Sequence, residues 1–140
     1  MRPGTVFFHT RFPFRDTPEH GKKLCIVLND GSIGHYVVVK TTSKQHRFSA
    51  TYGCQPPPAR FPAFYLPLHT NTFRKDTWVQ LDDFFHFNNG EIIVGGLNGY
   101  IIQQFLLPKR FLREIIECAL LSEDLPFSDE DVLKKALLVI

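Results

Sequence analysis

The stretch LCIVLNDGSIGHYVVVKTT, residues 24–42, decides the fold. Its first part, LCIVLN (24–29), is apolar up to the final Asn, which is typical of a β-strand buried on both faces. The segment NDGSIG (29–34) supplies turn residues, and HYVVVKTT (35–42) is rich in β-branched residues. The stretch therefore predicts two neighbouring strands joined by a turn.

Further strands are predicted on both sides of this pair. They share β-branched and aromatic residues between turn residues, and they are GTVFFHTRFPF (4–14), PAFYLPL (62–68), TWVQLDDFFHF (77–87) and YIIQQFLL (100–107). NNG (88–90) is interpreted as a hairpin turn into EIIVGG (91–96), and residues 43–60, with three consecutive prolines, as a long surface loop. Six or seven short strands predict a small, strongly curved sheet or β-barrel, because an open sheet of that size would expose its edges.

The periodicity changes from strand to helix near the C-terminus. PKRFLREIIECALLSE (108–123) has apolar residues at helical spacing, and DEDVLKKALLVI (129–140) predicts a second short helix. We therefore expect a mainly β fold with one or two C-terminal α-helices. Residues 1–140 are interpreted as a single domain, with a barrel core and helix over about 3–122 and a helical extension over 123–140.

The cysteine pattern predicts neither a disulfide framework nor a zinc site. Three cysteines are an odd number, and they show no CxxC or Cys/His spacing. Cys25 and Cys118 are interpreted as buried apolar residues, and the pattern suits a reducing compartment. No histidine pair has metal-ligand spacing on one helix, so no metal or other cofactor is expected.

The chain is expected to be cytoplasmic. No apolar segment follows a basic start, as it does in a signal peptide, and no apolar run approaches the roughly 20 residues that a membrane span needs. The net charge of +2 does not by itself diagnose nucleic-acid binding. Its distribution is uneven, because basic residues extend from Arg2 to Lys75 and acidic residues gather near the C-terminus.

The order of these elements is similar to that of a known family. A strand, a polar loop with a basic end, a buried strand, a turn and a strand ending in Thr-Thr follow one another in residues 3–44, and this order resembles the MazF/PemK family of toxin endoribonucleases. KDTWVQLDDF (75–84) resembles a later strand of that family, and LLPKRFLREIIECAL (106–120) resembles its closing strand and helix. The resemblance covers roughly residues 3–122.

The resemblance implies an SH3-like barrel that forms a homodimer, acts in a toxin–antitoxin system and binds a cognate antitoxin protein. It implies an endoribonuclease that cleaves single-stranded RNA without metal, in which the 2′-hydroxyl attacks the adjacent phosphate. The family's catalytic pair is an Arg before a Pro and a Thr at a strand end. Here Thr42 matches the Thr, whereas Lys23 stands at the Arg position and Leu24 replaces the Pro. Lysine presents a single compact charge, whereas the guanidinium of arginine can bind a phosphate through two parallel hydrogen bonds.

The residue pattern alone, without the family resemblance, indicates a site at the same two strand ends. Lys22 and Lys23 end a loop, while Thr41, Thr42 and Lys44 end a strand. Two neighbouring strands bring a cation and a hydroxyl together, and a cation there can stabilise a phosphorane. The alternative is that the lysines are a solvated strand start and the threonines are ordinary β-formers.

Cations interleaved with aromatic residues also favour single-stranded nucleic acid, because cations neutralise phosphates and aromatic rings stack on bases. These cations are Arg11, Arg15, Lys40, Lys44, Arg47 and Arg60, and the aromatics are Phe12, Phe14, Phe48 and Tyr52. Beside the catalytic candidates Lys23 and Thr42, the predicted substrate-binding residues are His20, Lys22, Thr41, Lys44, Arg47 and Arg15. The alternative for the phenylalanines is that they fill a core.

Two other hypotheses remain open at this point. The first is a catalytically silent barrel that binds nucleic acid or a protein partner, because a fold alone does not confer chemistry. The second is a nuclease that uses His35 or His46 as acid or base, since imidazole titrates near neutrality.

Overall fold

The molecule consists of an antiparallel β-sheet and three α-helices in a computed structural model that describes residues 1–13, 20–45, 48–55, 62–68 and 73–140. The strands are β1 (Thr5–Pro13), β2 (His20–Val27), β3 (His35–Thr42), β4 (Gly53–Gln55), β5 (Ala63–Leu66), β6 (Thr77–Gln80), β7 (Phe85–Asn88) and β8 (Ile101–Leu106). The helices are α1 (Asn89–Leu97), α2 (Lys109–Ala119) and α3 (Phe127–Val139).

Strand β3 organises the sheet. The strand order is β4-β5-β6-β3-β2-β1-β8, and β7 pairs with β3 off this path. One edge of β3 pairs with β2, while its other edge is divided between β7, over the first half, and β6, at Thr41 and Thr42. The predicted mainly β fold is confirmed. Among the described strands the path ends at β4 and β8 without closing, so the predicted β-barrel is not confirmed.

The turn before β3 is built by the Asn29 side chain. Its Oδ1 accepts the Val37 N–H at 2.8 Å, and its Nδ2 donates to the His35 carbonyl at 3.1 Å. Gly31 has a φ of 77°, and a Cβ there would lie 2.6 Å from the Tyr36 ring. These contacts explain why turn residues stand between two strands here, as predicted.

Both faces of β3 are buried. Val37 and Val39 belong to a hydrophobic core with residues of α2 and α3, whereas Tyr36 and Val38 belong to a second core on the opposite face. The continuously apolar character of the predicted strands follows from this two-sided burial. Helix α3 adds Leu133, which is fully buried, to the first core.

Three elements differ from the predictions. Residues 89–97 form helix α1 where we predicted a hairpin turn into residues 91–96, because Asn88 accepts the Glu91 N–H at 2.8 Å while Glu91 accepts the Asn88 N–H at 3.2 Å. This reciprocal capping box starts α1. The predicted strand 77–87 is two strands, β6 and β7, and the predicted loop 43–60 contains β4, which pairs with β5. Both predicted C-terminal helices are confirmed.

A disulfide corrects the prediction drawn from the cysteine count. Cys54 in β4 is bonded to Cys118 in α2, with their Cα atoms 5.5 Å apart. Cys118 is buried as predicted, but it is not a free thiol. Because two of the three cysteines form a disulfide, the cysteines no longer support a reducing compartment. Cys25 is free and buried, which confirms its interpretation. Burial raises the pKa of the Cys25 thiol well above its ordinary value.

Reduction of the disulfide is expected to lower the free energy of unfolding by about 2–4 kcal/mol, because the bond closes a long segment of the unfolded chain. The two cysteines are 64 residues apart. Urea unfolding with and without a thiol reductant measures the change. The variant Cys54→Ser is the control, since it should match the reduced protein and show no response to the reductant. Equal stability of the native chain in both conditions would contradict the expectation.

Candidate functional site

A cleft of about 880 Å³ lies where β2 begins and β3 ends. Cys25 pairs with Lys40 in the antiparallel ladder of β2 and β3. Continuing that register by two residues along each strand places Lys23 across from Thr42, on the same side of the sheet. Both residues line the cleft, so the structure brings together the two residues that were predicted to be catalytic.

The two threonines at the end of β3 have different hydrogen bonds. The Thr41 hydroxyl donates to the Leu24 carbonyl at 2.9 Å, which ties β3 to β2. The Thr42 hydroxyl oxygen instead accepts the Lys44 N–H at 3.2 Å, and this contact leaves its proton available to a ligand. Thr41 is therefore a structural residue of the cleft, and Thr42 is the one suited to donate to a bound phosphate.

Lys23 is a half-buried cation that lines the cleft. Its Nζ donates to the Thr41 carbonyl at 3.4 Å. Burial, followed by the positive charges of Lys40 and Lys44, holds the pKa of the Lys23 ammonium below its ordinary value. An anion in the cleft would relieve the repulsion among these cations, so the site is electrostatically prepared for a negatively charged ligand.

The cleft is strongly basic. Among the described residues that line it, five carry a positive charge and none carries a carboxylate; the cations are Lys22, Lys23, Lys44, Arg74 and Lys75. Hydroxyl and amide groups add neutral donors, from Thr42, Ser43, Thr77 and Gln104. A group of cations with no carboxylate among the described lining residues is the pattern that attracts polyanions such as nucleic acid.

Aromatic side chains also line the cleft. Phe8 and Phe105 are half-buried, and Phe73 is buried with its ring edge-on to Phe105 at 5.1 Å. The exposed parts of Phe8 and Phe105 offer apolar surface beside the cations. Such surface is what a base of a single strand stacks on.

The predicted site residues divide into two groups. Five of them line this cleft: Lys22, Lys23, Thr41, Thr42 and Lys44. Arg15 and Arg47 lie outside the described residues, as does the side chain of His20, whose backbone begins β2.

Sequence reasoning missed the contribution of Arg74 and Lys75, which reach the cleft from the segment before β6. The sequence shows these two cations next to an aromatic residue, in the run Phe-Arg-Lys at 73–75. It does not show that this run lies near β2, because that proximity depends on tertiary structure.

Two other predictions are corrected. His35, the candidate acid or base of a nuclease, does not line the cleft, since it begins β3 and lies about 23 Å along the strand from Thr42 at a rise of about 3.3 Å per residue. Phe12 and Phe48 are buried in cores and are not available to stack on bases. His46 and Phe14 lie outside the described residues.

No helix in the described part of the chain has the length and apolar character to cross a membrane. A scan against protein-family models and a search of the curated proteins find no match to this chain.

We expect Lys23 to titrate at a lower pH than Lys134, because burial lowers the pKa of Lys23 while the hydrogen bond to Glu130 raises that of Lys134. NMR of the lysine side chains measures both. Phosphate binds the protonated form, so the affinity for an oligonucleotide falls as the pH rises through the Lys23 pKa. The variant Lys23→Arg stays charged and should remove that decline. Titration of Lys23 at or above Lys134 would contradict the expectation.

Proposed function

We propose that the protein is a metal-independent endoribonuclease that cleaves single-stranded RNA, of the type found in the MazF/PemK family with its SH3-like barrel. The observation that carries the proposal is the position of Lys23 across from Thr42 in a cleft lined by five cations. The five cations that line the cleft, two of them from the segment before β6, support the same chemistry as the strand order in the sequence.

The proposed reaction is an attack of the 2′-hydroxyl on the adjacent phosphorus. The 2′ oxygen forms a bond to phosphorus as the bond to the 5′ oxygen breaks, and the products are a 2′,3′-cyclic phosphate and a 5′-hydroxyl. The 2′-hydroxyl proton passes to solvent. The Lys23 ammonium stabilises the charge on the phosphorane and supplies a proton to the departing 5′ oxygen, which its lowered pKa favours. The Thr42 hydroxyl donates a hydrogen bond to a non-bridging oxygen.

The other cations hold the strand on either side of the scissile phosphate. Lys22 and Lys44 flank Lys23 and Thr42, while Arg74 and Lys75 extend the basic surface. Phe8 and Phe105 offer stacking surface for the neighbouring bases, each stack contributing about 1–3 kcal/mol to binding. A single strand fits this arrangement because its bases are free to stack on protein side chains.

The matched experiment incubates the purified protein with single-stranded RNA in the presence of EDTA. We expect fragments that end in a 2′,3′-cyclic phosphate. Lys23→Ala and Thr42→Val should each slow cleavage by about a hundredfold, since each removes one stabilising group from the transition state. Lys134→Ala is the control and should cleave like the native chain, because Lys134 is an exposed cation paired with Glu130 on α3.

The variant Lys23→Arg tests whether the cation at position 23 has a catalytic role. Cleavage that is retained or raised in this variant would support the catalytic proposal, because a guanidinium holds phosphate at two points.

The second candidate function is RNA binding without cleavage, which a lysine at the arginine position of the resembled family favours. Binding that weakens steeply with salt but yields no product would establish that candidate and overturn the catalytic one.

The partners belong to the same proposal. A cognate antitoxin would cover the basic cleft with an acidic segment. The site of action would be the cytoplasm, where Cys54 and Cys118 would be reduced thiols. We place a homodimer contact on the β8 edge and α1, where Leu97 is 82% and Ile93 60% exposed.

Light scattering tests the homodimer, and it should give twice the 16.2 kDa of one chain. Leu97→Glu should yield the monomer and the control Leu138→Glu should not; a native monomer would overturn the contact.

A further inference from the structure

Two histidines and an aspartate meet at the end of β3 that lies away from the cleft. His35 begins β3, His86 lies in the paired strand β7, and Asp129 lies in the first turn of α3. No sequence spacing connects them, because they are 51 and 43 residues apart. The fold alone brings them together.

The strand register places both histidines on one face. His35 pairs with Asn88 and Val37 pairs with His86, so the two histidines are diagonal neighbours on the same side of the sheet. Their ring centroids are 5.1 Å apart and the rings are nearly perpendicular, at 84°. Val37, on the same face, is buried against the core that contains α3.

Helix α3 directs Asp129 toward these rings. Asp129, Leu133 and Ala136 follow the helical repeat along one face, and all three are buried. Asp129 is only 1% exposed, and its Oδ2 lies 2.7 Å from Nε2 of His86. A carboxylate that is buried so completely is normally paired with a charged or hydrogen-bonding group or bound to a metal ion, and both histidines lie beside it.

The three side chains offer a compact set of ligand atoms. One nitrogen from each histidine and one oxygen from Asp129 lie within 4.8 Å of one another. Three ligands bound tetrahedrally at about 2.0–2.1 Å would be about 3.3 Å apart, so modest side-chain rotations close the site. The His86 side chain is 36% exposed, which leaves a path for an ion to enter.

We propose that His35, His86 and Asp129 form a binding site for a divalent cation of the zinc class. Two imidazole nitrogens and one carboxylate oxygen suit Zn²⁺ and its neighbours Co²⁺ and Ni²⁺, whereas Ca²⁺ and Mg²⁺ prefer oxygen ligands throughout. Three protein ligands leave a fourth position for water. The bound ion joins α3 to β3 and β7, which gives the C-terminal helix a second attachment beside its apolar face.

This site is independent of the proposed nuclease chemistry. It lies at the start of β3, whereas the basic cleft lies at the end of that strand. Removal of the ion with EDTA is therefore expected to lower the melting temperature while RNA cleavage persists. The metal site is therefore tested by ion binding and melting temperature, and the nuclease proposal is tested separately by RNA cleavage.

The test titrates Zn²⁺ by calorimetry into the 140-residue chain after treatment with EDTA and dialysis. We expect one ion per chain, with Co²⁺ giving the intense visible absorption of four-coordinate cobalt. Asp129→Asn and His86→Gln should each weaken binding by at least about tenfold, because even groups that only orient a ligand have effects of that size. Asp131→Asn is the control, since it removes the same charge from an exposed position two residues along α3.

Three results would overturn the proposal. They are the absence of Zn²⁺ binding by the native chain, equal affinity in Asp129→Asn, His86→Gln and the native chain, and an equal loss in Asp131→Asn. Circular dichroism checks that each variant is folded. His86→Gln decides the question if Asp129→Asn fails to fold, because the half-exposed His86 tolerates substitution more readily than a buried residue. Tight binding of Mg²⁺ in place of Zn²⁺ would contradict the assigned class of ion.

Discussion

The pairing of β2 with β3 is the constraint on which the rest of the structure depends. Cys25 opposite Lys40 sets the register, and the apolar residues around them are buried on both faces of the sheet. A slip of one residue would move every side chain to the other face and would separate Lys23 from Thr42. The hydrogen bond from the Thr41 hydroxyl to the Leu24 carbonyl adds a specific tie at this position. The cores on both faces thus hold the geometry of the cleft.

The cleft concentrates like charges that the sheet holds in place. The lowered pKa of Lys23 reflects both its burial and the charges of Lys40 and Lys44. Lys40 lies 5.7 Å from the centroid of the Phe85 ring, which is a cation–π contact. A phosphate chain neutralises several such cations at once, which is why the cleft suits a polyanion better than a single small anion.

Sequence reasoning worked where the deciding forces are local or involve neighbouring strands. The bounds of β3, the turn at Asn29 and the two C-terminal helices follow from apolar patterns and turn residues. The meeting of Lys23 with Thr42 followed from strand order. Helix α1 was missed because Asn-Asn-Gly suits a hairpin as well as a helix start, and the capping contact with Glu91 decided between them.

What could not be predicted depends on contacts between distant segments. The bond of Cys54 to Cys118 requires β4 to lie against α2, and no spacing in the sequence indicates that. Arg74 and Lys75 enter the cleft only because β6 pairs with the end of β3. The cluster around Asp129 needs β7 and α3 to meet on one face of the sheet. Each of these is set by tertiary packing rather than by periodicity.

The most direct test of the central claim is to map where RNA lies on the protein. A single-stranded RNA with photoreactive thiouridine, crosslinked to the native chain and analysed by mass spectrometry, identifies the residues in contact. The account predicts crosslinks in peptides that carry Phe8, Lys23 and the 73–75 segment, all of which line the basic cleft. Crosslinks confined to a different cleft of about 500 Å³, which is lined by His9, Tyr100 and Val94 among others, would contradict it.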